Sequence, residues 1–129
     1  MKLNLFIICT IALSLTVFSC KNSSKTKKTP EQEIEIITNK IIAHTEILNK
    51  ANKDNKITEQ EAIEISKIIK ELQITYIDFD NKFKNDQNLQ EIIQEYFKNN
   101  EIELEKIYEN YFQALMKVYD CEGSEKINF

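Results

Sequence analysis

The stretch Thr58-Glu59-Gln60-Glu61-Ala62-Ile63-Glu64-Ile65-Ser66-Lys67-Ile68-Ile69-Lys70-Glu71-Leu72-Gln73-Ile74-Thr75-Tyr76-Ile77-Asp78-Phe79-Asp80-Asn81-Lys82-Phe83 decides the fold. Its residues Ala62, Ile65, Ile69, Leu72, Tyr76, Phe79 and Phe83 recur at alternating steps of three and four, the period of one helix face. Thr58 stands where an N-cap belongs. Glu61, three residues on, completes a capping box in which the hydroxyl accepts an orphan amide and the carboxylate reaches back to the cap. Ile63, Ile74 and Ile77 lie off this stripe: at about 100° per residue they fall nearly opposite it. A helix with two apolar faces either packs between two neighbours or carries a contact strip for a partner or a second copy. Ile63, Ile74 and Ile77 are therefore the candidate partner-binding residues.

The same reasoning extends in both directions. Thr29 as cap, Pro30 at the first helical position and Gln32 open an earlier helix, whose stripe is Ile34, Ile37, Ile41, His44, Leu48 and Ala51. Polar residues from Asn52 to Lys56 break the pattern. After a turn at 85–88, with Asp86 as cap, a third pattern begins with Leu89, Ile93, Tyr96 and Phe97, and resumes with Leu104, Tyr108, Tyr111, Leu115 and Val118. Asn99-Asn100 shifts the stripe between the two halves. With neither Gly nor Pro there to stop it, a continuous or bent helix is expected. The fold class is all-α: an antiparallel three-helix bundle, or a four-helix one if Asn99-Asn100 forms a loop. Residues 30–120 suffice for one domain, and 121–129 read as a flexible C-terminal tail.

The leader says where the chain resides. Met1-Lys2, an apolar run from Leu5 to Leu15, and Val17-Phe18-Ser19-Cys20 have the form of a bacterial lipoprotein signal over residues 1–19. Cys20 is then the lipidated first residue of the mature chain, and its acyl chains anchor the protein to a bilayer. Lys21-Asn22-Ser23-Ser24-Lys25-Thr26-Lys27-Lys28-Thr29 has nothing apolar to bury and reads as a disordered tether over residues 20–29. Of three cysteines, Cys9 leaves with the signal and Cys20 carries lipid. Cys121 then has no partner for an intramolecular disulfide.

The residues Phe6-Ile7-Ile8-Cys9, Ala12-Leu13 and Ser19-Cys20-Lys21-Asn22 resemble the leaders of the OspE/OspF-related surface lipoproteins of Borrelia. The resemblance covers the first twenty-two residues and none of the rest. It implies a surface-exposed lipoprotein in a group whose members often bind host proteins.

The first turn, Lys50 to Glu61, has the length of an EF-hand loop. Asn52, Asp54, the Lys56 carbonyl, Thr58 and Glu61 occupy liganding positions, and Asn55 stands where a left-handed residue is needed. Lys50 occupies the first position, where an aspartate belongs, and removes one ligand. A polar turn followed by a capping box explains Thr58 and Glu61 without metal, so no metal is expected; any calcium bound here would be held weakly. His44 stands alone on an apolar stripe, and neither a metal site nor a catalytic dyad can be built from a single histidine. Spacing assigns the aromatics Tyr96, Phe97, Tyr108, Tyr111, Phe112 and Tyr119 mostly to the core, with one or two of the tyrosines at the surface.

The chain carries a net charge of −4 and no Arg. Removing Lys2 with the leader gives −5, and setting aside Lys21, Lys25, Lys27 and Lys28 leaves −9 from Pro30 onward. An acidic domain is a poor match for phosphate, so nucleic acid is not an expected partner. No Gly-rich loop or nucleophile–base pattern is present. The expectation is a non-enzymatic, lipid-anchored protein of the bacterial cell envelope, at the outer membrane and surface-exposed, that binds or adheres to a protein partner. The alternatives are a structural or accessory envelope lipoprotein and a degenerate EF-hand-like calcium-responsive module.

Overall fold

The computed structural model describes residues 28–128. They form four helices, α1 (Pro30–Ala51), α2 (Glu59–Phe83), α3 (Gln87–Asn99) and α4 (Glu101–Tyr119), with 3₁₀ turns at Asn52–Asp54 and Ser124–Lys126. The fold is all-α, and no named strand occurs among the described residues. Both capping boxes are formed: the Thr29 and Thr58 hydroxyls accept the Gln32 and Glu61 amides, and each glutamine or glutamate side chain answers the cap amide. Asp86 caps α3 through the Leu89 amide.

α1 is the axis of the bundle. Every residue of its stripe is buried, and Ile34, Ile37, Ile41 and Leu48 are wholly so. α2 runs antiparallel beside it, tied by Lys82 to Glu33 at 2.8 Å and by Lys40 to Glu71. The core divides into two clusters along this axis. One joins Ile34, Ile37 and Ile41 to Leu72, Phe79, Phe83, Ile93, Phe97, Leu104 and Tyr108. The other joins Leu48 and Ala51 to Ala62, Ile65, Ile69, Ala114 and Val118. Leu104 thus lies at the level of the start of α1 and Val118 at its end, so α4 runs parallel to α1, and α1, α2 and α4 run up, down, up with α3 joining the last two.

The structure differs from the sequence reading in three places. In place of a continuous or bent third helix the structure has the four-helix alternative, with α3 and α4 separate, and Asn100 is the cause. Its backbone leaves the helical region at φ −116° and ψ 16°, and both its amide and its Nδ2 donate to the Tyr96 carbonyl, at 3.1 and 2.8 Å. An asparagine side chain that bonds the backbone locally competes with the helix without help from Gly or Pro.

Residues 121–128 are not a loose tail. The Ile57 amide donates to the Glu122 carbonyl at 2.7 Å and the Glu122 amide to the Asn55 carbonyl at 3.0 Å. Cys121 and Ile127 are buried in the second cluster, and the Asn128 amide donates to Ser66 Oγ. The segment clasps the α1–α2 turn. Ile127 supplies the apolar contact that makes docking favourable, and the single glycine, Gly123, supplies a left-handed turn.

The third difference concerns the aromatics. Phe97 and Tyr108 are core, and Tyr96 and Tyr111 are partly buried. Tyr119 is one tyrosine at the surface, within the expectation, whereas Phe112 is exposed against it, because both lie on the flank of α4 that no helix covers. Burial, with Tyr119 adding, pushes the Tyr111 phenol up to about 12.

Candidate functional site

The outward face of α2 follows from its phase. The stripe that enters both clusters uses one side of the helix, and Ile68 widens it. Residues half a turn away have no helix to meet. Ile63, Ile74 and Ile77 are accordingly 60%, 51% and 59% exposed, so the burial between two neighbours that the sequence left open does not occur. Lys67 and Lys70 share this face and are exposed as well. The result is an apolar strip with two lysines at its middle.

The twelve-residue turn is organised by hydrogen bonds. Asn55 adopts φ 59°, the left-handed conformation its position requires. The Asp54 carboxylate accepts the Lys56 amide at 3.2 Å. Thr58 and Glu61 are brought together, but onto each other: Glu61 Oε2 accepts the Thr58 hydroxyl at 2.6 Å and the Thr58 amide at 2.9 Å. The Thr58 side-chain and backbone bonds hold the Glu61 carboxyl below its ordinary range, with Lys50 nearby adding to the effect. Among the described residues no group of three or more His, Cys, Asp or Glu side chains converges.

Two further titratable groups are buried, His44 on α1 and Cys121 against the turn. His44 is buried with no partner for its Nδ1, and burial depresses its pKa, with Lys40 adding and Glu71 opposing. Cys121 donates its thiol to the Lys117 carbonyl at 3.2 Å, and burial followed by Asp54, Asp120 and Glu61 pushes that thiol up, away from the reactive thiolate.

A groove of about 310 Å³ opens where α1 meets the α3–α4 junction, lined by Glu35, Asn39, Ile42, Tyr96, Glu103 and Ile107 among others. Burial first, then Glu35 and Glu103, raise the Tyr96 phenol. The sequence reading did not single out this groove, because its walls come from three elements that join only when Asn100 breaks the third pattern.

Cys20 and the leader lie outside the described residues, and so does the tether up to Lys27. No helix among the described residues is long and apolar enough to cross a membrane. In comparisons with protein-family models, with curated proteins and with solved structures, nothing matches this chain.

Proposed function

We propose that this chain is a bacterial envelope lipoprotein, held to the outer membrane through lipid on Cys20 and exposed at the surface, whose helical domain binds a protein partner without catalysing a reaction. The observation that carries the binding role is the exposure of Ile63, Ile74 and Ile77 on one face of α2. Three large aliphatic side chains in line cost solubility and contribute nothing to the core, which is the pattern of a contact surface. Such anchors, once enclosed by a partner, account for most of the energy of a small interface. The anchor role rests on Val17-Phe18-Ser19-Cys20 and the polar segment that follows.

The test has two arms. A fatty-acid analogue fed to cells labels the wild type and not Cys20→Ala; equal labelling of both removes the anchor. Ile74→Glu lowers partner capture by the full chain at least about thirtyfold, the equivalent of a 2 kcal/mol anchor, with cooperative unfolding unchanged. Capture equal to wild type removes α2 as the binding face.

A further inference from the structure

The α2 strip has a complement on the same molecule. Along the uncovered side of α4 run Ile102, Glu105, Glu109, Phe112 and Met116, all exposed. The two strips match in length: Ile63 and Ile77 are fourteen positions apart, and so are Ile102 and Met116, about 21 Å at the helical rise. They are opposite in charge. Lys67 and Lys70 interrupt the apolar residues of α2, and Glu105 and Glu109 interrupt those of α4. Among the described residues none of these four takes part in an ion pair within the domain. Laid antiparallel, the strips bring Ile63 to Met116 and Ile77 to Ile102, with Lys70 beside Glu109.

We propose that the α2 strip of one molecule docks on the α4 strip of a second copy, so that copies associate head to tail. This rests on the reading of α2 as a binding face and names its partner. The charges select this pairing over its competitors. An α2–α2 contact sets Lys67 and Lys70 against themselves, an α4–α4 contact does the same with Glu105 and Glu109, and like charges brought together at an interface are costly. The net charge of −9 from Pro30 onward works against any contact that lacks a local match. A heterologous contact leaves one α2 strip and one α4 strip free at the ends, so the assembly either closes into a ring or continues as a row.

Sedimentation equilibrium of the full chain in density-matched detergent tests the proposal. Wild type shows species larger than a monomer that grow with concentration. Ile74→Glu alone and Met116→Glu alone are monomers with unchanged cooperative unfolding. Their equimolar mixture forms a dimer and nothing larger, because each pair retains one intact α2 strip and one intact α4 strip. Lys70→Glu weakens association, and mixing it with Glu109→Lys restores assemblies larger than a dimer, because both contacts between the two variants then pair opposite charges. A wild type that stays monomeric overturns the proposal, as does a Met116→Glu chain that associates like wild type. If wild type is monomeric while Ile74→Glu still abolishes capture of a different protein, self-association falls and the α2 binding face stands. If Ile74→Glu changes neither readout, both fall.

Discussion

Gly123→Ala tests whether the C-terminal clasp is part of the folded unit. Gly123 has φ 89°, and a Cβ added there would sit 2.5 Å from the Ile57 carbonyl oxygen. That oxygen cannot step aside freely, because its own residue is bonded to Glu122 through the amide at 2.7 Å. Two outcomes compete. If the segment stays docked, alanine in the left-handed region costs about 1–2 kcal/mol, and the overlap adds about 1–3 kcal/mol. If the segment lets go, the fold loses the burial of Ile127, about 1.5–3 kcal/mol. It also loses the two bonds between Glu122 and residues 55 and 57, about 1 kcal/mol each. Undocking therefore sets a ceiling of about 3.5–5 kcal/mol, and the expected loss is about 2–4 kcal/mol. Urea unfolding of the full chain followed by circular dichroism measures it, with Ile127→Ala and the double variant alongside. Because both substitutions release the same segment, the double variant loses less than the two single losses together. Hydrogen exchange at the Ile57 amide accelerates in all three. A Gly123→Ala chain within about 0.5 kcal/mol of wild type, the range of an ordinary surface change, refutes the reasoning.

His44 gives the domain a pH response of known sign. Burial holds the folded-state pKa below 6.5, so the unfolded chain takes up the proton first. Stability is full above about pH 6.5 and declines as the pH falls below it, levelling once the folded-state pKa is passed. His44→Leu removes that part of the slope, and an unchanged pH profile of urea midpoints counts against the assignment. Thr58→Ala removes the hydroxyl of the α2 capping box and costs about 1 kcal/mol. NMR titration shows the Glu61 pKa rising toward its ordinary value, because the Thr58 hydroxyl bond, the larger of the two that depress it, is lost while the amide bond stays; a fixed Glu61 pKa contradicts the hydrogen-bonded cap.

The parts legible in the sequence are those whose cause is local. The stripes of α1 and α2 could be read because each core residue is spaced by the helix itself, and the two capping boxes because cap and partner are three residues apart. The outward phase of Ile63, Ile74 and Ile77 was readable for the same reason; whether a neighbour covers them was not. The break at Asn100 left a trace, the shifted stripe, but its mechanism is a side-chain bond to Tyr96 that spacing does not reveal. Ala114 was missed because a small residue between Gln113 and Leu115 carries little apolar signal. Phe112 was misassigned because an aromatic reads as core wherever it falls. The clasp was out of reach: Cys121 and Ile127 have no periodic pattern, and their burial depends on a turn more than sixty positions earlier. The lone glycine at 123 was its only mark.

α1, at 22 residues, is about 33 Å long, and the bundle is built around it as a strut of fixed height. The chain enters the strut at Pro30 and finishes, through the clasp, at the other pole beside Asn55 and Ile57. Whatever grips the polypeptide ahead of Lys28 therefore grips the base, and the clasped turn is the summit. The strips on α2 and α4 run lengthwise between the two, like the edges of a fence board. Molecules planted side by side on a flat support would all hold the base toward it, leaving tilt, rotation and spacing to settle before adjacent edges meet.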